Sequence, residues 1–279
     1  MKISKSLSCN SLRFITLAVL GSVSFTSVTA IAQPDSKIIN IYKDALTDSI
    51  KTEPSEITNN LTIIDNPELN PNLYWDKQGR VLVVTFTEYS KFNLDYVNKT
   101  WVTVAPKLKS FCTNYKIQNP NIQTAQLNQR IEQVLGIKPE SKKTYIAELW
   151  VDPKLLKRPA FPADIKNVKI SNPDSLDRSK NKGDLFLAWL NEQLQARQDL
   201  QNKINLPASE LAKSEYPWTG LGYTFNWASK LDPSIKEFGL SEFVLWGTKD
   251  QMSSSGKVPA VEFNRSFTTE EYCKPDNSL

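Results

Sequence analysis

The sequence predicts a single α+β domain with a mainly antiparallel sheet packed against a few helices. Three features lead to that class. Short runs of β-branched and aromatic residues recur between turn-forming breaks, and three stretches carry apolar residues at helical spacing. Strands and helices then mix without the regular β-α alternation that a parallel sheet requires.

The elements follow in order. MKISKSLSCNSLRF holds Lys2, Lys5 and Arg13 without an acid, and leads into the apolar stretch Phe14 to Leu20. The segment ends in Ala30-Ile31-Ala32-Gln33, which fits the small-residue cleavage site of a secretory signal. Residues 1–32 are therefore read as a signal peptide, with cleavage after Ala30 as the rival to cleavage after Ala32. A membrane anchor is the alternative, but it needs about 20 apolar residues, and this run is shorter and interrupted by Gly21. Cys9 precedes the apolar stretch, which excludes it as a lipoprotein acceptor. The expectation is export to the periplasm or extracellular space, with no transmembrane segment left after cleavage.

Lys2, Lys5 and Arg13 leave with the signal, so 34 basic against 30 acidic residues becomes 31 against 30. A nearly neutral chain argues against nucleic acid as a partner, because phosphate binding needs a concentrated basic surface.

In residues 33–72, Ile38, Ile39, Ile41, Tyr42, Ala45 and Ile50 form a short amphipathic helical pattern. Glu53-Pro54, Asn66-Pro67 and Asn70-Pro71 then break regular structure, so this stretch is expected to be a loosely attached approach to a domain spanning 73–279. LYWDKQGRVLVVTFTEY places two strand-like runs around a turn at Asp76 to Gly79. Apolar residues on both faces of Val81 to Phe86 mark a central strand. TWVTVAP is another strand, and Pro106 opens a helix carrying Phe111 and Cys112.

Leu127, Ile131, Val134 and Leu135 give the clearest helical stripe, stopped by Gly136. TYIAELWV is a strand ended by Asp152-Pro153, and residues 182–201 form a second helix with Phe186, Trp189, Leu190 and Leu194 on one side. GLSEFVLWG and VPAVEFNRSF complete the strands.

The chain contains no histidine. That excludes Ser-His-Asp and Cys-His nucleophile pairs, HExxH zinc hydrolysis and histidine-held haem. Two cysteines without histidine make a poor zinc site, no acidic loop has calcium-binding spacing, and no cofactor is expected. Gly220 and Gly222 lack the third glycine or lysine of a phosphate loop. Ser254-Ser255-Gly256-Lys257 matches S-x-x-K, but Gly256 and Pro259 oppose the helix that would align the pair.

Carboxylates remain. Glu148 in TYIAELWV and Glu242 in LSEFVLW have apolar neighbours that could raise their pKa values for acid/base work; the alternative is an ordinary ion pair or a solvent-facing carboxylate. Arg158, before Pro159, could present a rigid anion-binding fork, or simply cap or solvate the surface. Cys112 and Cys273, the cysteines that survive cleavage, either pair in an oxidising compartment or remain two buried thiols.

The stretch SEYPWTGLGYTFNW concentrates aromatic residues. Tyr223, Phe225 and Trp227 alternate with Thr224 and Asn226, a strand whose aromatic face supplies core. Tyr216 and Trp218 lie off that register, in the turn set by Pro217, Gly220 and Gly222, where a rigid aromatic platform could hold a sugar ring, a base or a peptide side chain.

WVTVAP, YPWTGLGYTFNW, GLSEFVL and the terminal Tyr272-Cys273 together resemble an uncharacterised group of secreted bacterial proteins with cyanobacterial members, over roughly residues 73–273. The resemblance implies export and a disulfide, and it transfers no catalytic residue. Some members of the group carry a cysteine soon after the Arg-Pro pair, where this chain has Ala160 and Phe161.

The functional expectation is a non-catalytic ligand-binding or interaction protein with an aromatic surface at Tyr216 and Trp218, joined by Arg158, whose partner is a small molecule, glycan or protein. The alternatives are a secreted carboxylate-based hydrolase or transferase acting on glycosides or nucleotides through Glu148 and Glu242, and a structural envelope component.

Overall fold

The computed structural model describes residues 36–177, 183–252 and 258–275. The expected signal peptide, Cys9 and the Ser254 to Lys257 motif lie outside the described residues. In chain order the helices and strands are α1 (Ser36–Ser49), β1 (Val81–Thr87), β2 (Trp101–Val104), α2 (Ala105–Gln118), α3 (Thr124–Val134), β3 (Tyr145–Val151), β4 (Leu156–Lys157) and α4 (Leu185–Lys203). There follow α5 (Ala208–Ser214), β5 (Tyr223–Phe225), β6 (Phe238–Ser241), β7 (Phe243–Leu245), α6 (Lys249–Met252), β8 (Val261–Thr268) and α7 (Thr269–Tyr272).

Six strands form an antiparallel sheet in the order β4-β7-β2-β1-β3-β8, and β5 pairs with β6 in a separate two-stranded sheet. β1, read from its two apolar faces as central, lies between β2 and β3. Val81, Val83, Val104 and Leu149 pack on one side with Ile64, Leu73 and Ile165 from irregular segments. On the other side Leu82, Val84, Phe86 and Ile146 meet Leu108 of α2 and Leu127, Ile131 and Val134 of α3. Further along this face, Phe186, Trp189, Leu190 and Leu194 of α4 pack on Val244 of β7. The α+β class is thus realised as a six-stranded sheet with α2, α3 and α4 on one face, beside a small two-stranded sheet.

Helix α2 starts one residue before Pro106, whose missing N–H costs nothing at a helix N-terminus. Gly136, at φ +65°, follows the end of α3 in the left-handed conformation that glycine tolerates. Asp184 caps α4 by accepting hydrogen bonds from the backbone N–H groups of Phe186 and Leu187. The Cys112–Cys273 disulfide joins α2 to the residue after α7, with both cysteines fully buried, so two separate thiols are excluded.

Two expectations are corrected. The segment ahead of residue 73 is not a loose approach: Tyr42, Ala45 and Leu46 of α1 are fully buried against Leu200, Leu211, Phe225 and Trp227. Tyr42 meets Trp227 edge-on at 5.8 Å, and its hydroxyl donates to the Glu215 carbonyl at 2.9 Å. Leu61 and Ile64 then tie the following segment to residues 165–168 through backbone hydrogen bonds. An apolar helical stripe of this size gains too much from leaving water to stay detached, at about 1.5–3 kcal/mol for each large side chain.

The second correction concerns GLSEFVLWG, which is not one strand. It divides at Glu242, with β6 in the small sheet and β7 in the large one. Among the described residues no helix is long and apolar enough to cross a membrane.

Candidate functional site

The cavity of interest lies on the helical face of the sheet, where neither α2–α3 nor α4 covers β1 and β2 completely. It encloses about 660 Å³. Val84 and Phe86 of β1 and Trp101 and Thr103 of β2 contribute to the sheet side, Leu108, Leu135 and Ile137 one flank, and Ala196 and Leu200 of α4 the other. Tyr216, Pro217 and Trp218 cross it, and Thr224, Phe225 and Glu242 complete the wall.

Local sequence explains how these residues converge. Gly220 and Gly222 hold φ +72° and +77°, turning the chain sharply between Trp218 and β5. A Cβ at Gly222 would lie 2.8 Å from Cδ of Arg158, so this turn also needs glycine for space. The Gly222 carbonyl accepts the backbone N–H of Glu242 at 3.0 Å, placing that carboxyl beside the turn. Trp218 Nε1–H donates to Glu242 Oε1 at 3.0 Å, and the Trp218 ring meets Trp101 edge-on at 6.0 Å. Tyr216 is half exposed and Trp218 partly buried, whereas Tyr223, Phe225 and Trp227 are buried. The aromatic stretch therefore contains both a core strand and a cavity wall.

Glu242 is 4% exposed. Burial in apolar surroundings pushes its carboxyl from the ordinary 4.5 up to about 8, while the Trp218 N–H and the Arg158 charge pull in the opposite direction. Glu56 is raised to about 7, and Glu132 and Glu237 are also raised, each mainly by burial. Such groups hold in the folded state a proton that the unfolded chain has already lost, so stability falls as pH rises from about 4.5 to about 8. Thermal melts across this interval should show a declining Tm, and Glu242→Gln should flatten the decline without abolishing it. A Tm that climbs with pH would contradict this account.

The other sequence-selected residues go elsewhere. Arg158 is fully buried and presents no fork to solvent. Its Nη2 donates to the carbonyls of Thr62, Ile165 and Asn167 at 2.8, 3.3 and 3.4 Å, and its Nη1 to that of Gly222 at 3.4 Å. The guanidinium also sits 4.8 Å from the centre of the Phe243 ring. Burial lowers its pKa to about 10. Local sequence could not reveal this, because the carbonyls come from segments far from Arg158 or from an irregular loop.

Glu148 accepts hydrogen bonds from Arg265 Nε at 3.0 Å and Asn264 Nδ2 at 2.8 Å, the ion-pair alternative of the sequence reading. Register through Val84 and Thr103 places Glu148 on the cavity side of the sheet. Its strand is nevertheless three positions from β7, roughly 14 Å at strand spacing. Paired glycosidase carboxylates stand about 5–9.5 Å apart, so Glu148 and Glu242 do not form such a pair.

Sequence reasoning named Tyr216, Trp218 and Glu242, which meet at the cavity, and missed Trp101. The alternation in WVTV, which places Trp101 and Thr103 on one face, was the available signal. Lys143 also lines the cavity, its pKa lowered mainly by burial. Asp48, Glu56 and Glu237 form a carboxylate cluster away from it, where Lys230 pairs with Asp48 at 2.7 Å. No family model, curated protein or solved structure matches this chain.

Proposed function

We propose that the chain is an exported, non-catalytic binding protein whose ligand is an apolar small molecule held in the 660 Å³ cavity. The observation that carries this reading is the convergence of Trp101, Trp218 and Tyr216 with a single buried carboxyl on an otherwise largely apolar wall. Small-molecule sites are typically concave spaces of about 300–1,000 Å³ with few polar groups. The export component rests on the N-terminal signal pattern and on the resemblance to secreted bacterial proteins. Carboxylate catalysis by Glu148 and Glu242 has no support from their separation.

Thermal-shift screening of neutral aromatic and alicyclic compounds against the full-length chain tests the reading. A binder at 100 times its Kd adds about 2.7 kcal/mol to stability. Trp218→Ala should remove most of its Tm shift, while Tyr74→Ala, an exposed residue that does not line the cavity, should leave it intact. Failure of the whole panel, or equal shifts in Trp218→Ala, would count against the cavity as the ligand site.

A further inference from the structure

This inference rests on the cavity-binding reading and names the chemistry of the ligand. We infer that Glu242 is the polar anchor of the cavity and that the ligand is a neutral, largely apolar ring compound presenting one hydrogen-bond acceptor, a carbonyl or ether oxygen, to it.

The hydroxyls near Glu242 are committed to the protein. Thr103 Oγ1–H donates to the Ser241 carbonyl at 2.8 Å, and Thr224 Oγ1–H to the Val134 carbonyl at 2.6 Å. A sugar seated beside Glu242 would lose its water and find these hydroxyls already engaged, at a cost of about 1–3 kcal/mol for each unmet hydroxyl. Glu242 is different. Oε1 receives the Trp218 N–H, and no second side-chain hydrogen bond to this carboxyl occurs among the described residues.

The surrounding charges select against a cationic ligand. Arg158 lies behind Glu242 beyond the Gly222 turn, while Lys99 and Lys143 belong to the cavity wall, so a cationic ligand meets positive charge around the buried carboxyl. Arg197 is already engaged by Asp174, Thr52 and the Ser49 carbonyl, and Glu215 by Lys203. An anion drawn in by these cations would still have to give up its water against a largely apolar wall at Glu242. The Tyr223 phenol, the other titratable neighbour, donates its proton to the Glu56 carbonyl and is itself raised by burial.

A protonated carboxyl with Oε1 accepting from Trp218 has its O–H available to donate. Because burial holds the carboxyl up to about 8, that donor persists at neutral pH and is lost in alkali. The predicted affinity for an acceptor ligand therefore falls as pH rises through 8.

The test is equilibrium dialysis of the full-length chain with three probes sharing one ring system: 2-acetylnaphthalene, 2-ethylnaphthalene and 2-naphthylmethylammonium. The ketone should bind about tenfold more tightly than the hydrocarbon at pH 6, the value of one buried hydrogen bond, and lose that advantage by pH 9.5. Glu242→Gln keeps a donor that does not titrate, so it should preserve the advantage at both pH values, while Glu242→Leu should erase it. A ketone advantage indifferent to pH and to residue 242 overturns the anchor but leaves cavity binding intact. Tightest binding by the ammonium, increasing with pH, overturns the neutral-ligand assignment in favour of a cation. Failure of all three probes to bind overturns the anchor together with the cavity reading.

Discussion

Cys273→Ala is expected to lower the unfolding free energy by about 5 kcal/mol. The Cys112–Cys273 bridge spans a sequence separation of 161 residues. Closing a loop of that size removes chain entropy from the unfolded state equivalent to about 5 kcal/mol at room temperature. The bridge is also the covalent tie between α2 and the residues after α7, in a core shared with Tyr272, whose hydroxyl donates to the Ala105 carbonyl at 2.9 Å. For a chain of this length the loss corresponds to a Tm lowered by roughly 10–20 °C. Urea unfolding of the wild type with and without reductant, beside Cys273→Ala under both conditions, provides the check. Reductant should bring the wild type to the variant's midpoint and leave the variant unchanged. A wild type indifferent to reductant would remove the bridge from any role in stability.

Arg158→Ala should destabilise the fold by about 4 kcal/mol. The substitution opens a void beside the Gly222 turn and removes the donors serving the Thr62, Gly222, Ile165 and Asn167 carbonyls. The Gly222 and Ile165 carbonyls retain backbone donors from Glu242 and Ile64. Those of Thr62 and Asn167 bear the larger loss. Arg158→Lys should cost about 2 kcal/mol, because a single ammonium cannot reproduce a planar fork spread over several carbonyls. Arg158→Met refills the space and deletes a buried charge whose Nε lacks a partner, so it should fall between alanine and wild type. Denaturant unfolding of the three variants gives the ranking. An alanine variant within about 1 kcal/mol of wild type would show that the arginine only fills space.

What could be read in advance follows the range of the forces involved. β1, α2, α3 and the buried aromatic face of β5 were legible because their signals are local: residue alternation, Pro106, Gly136 and a helical stripe. The division of GLSEFVLWG was not, because Gly239 is fixed by close approach of its backbone to Thr224 of the paired strand and to the Val134 carbonyl, which lies far away in sequence. The role of Arg158 was hidden for the same reason, since Thr62 and Gly222 lie 96 and 64 positions from it. At the cavity, Tyr216 and Trp218 stood out as aromatics beside a glycine turn, and Glu242 as a carboxylate in an apolar run. For Trp101 the alternation in WVTV gave a face but no neighbour, and the pairing of β7 with β2 is what sets that face beside Glu242.

The docking of α1 also sets a timetable. Its buried stripe, Ile39, Tyr42 and Leu46 included, finds its partners at Leu200, Leu211, Phe225 and Trp227, about 180 residues later in the chain. At 5–20 residues per second, a growing chain carries that greasy helix without its partners for roughly ten to forty seconds. Cys112 waits for nearly as long, since Cys273 follows it by 161 residues, and its partner is the later of the two to be made. Segments made much later are therefore what seal α1, and a ribosome that stalls before Trp227 leaves a product with an unburied Tyr42 as its exposed mark.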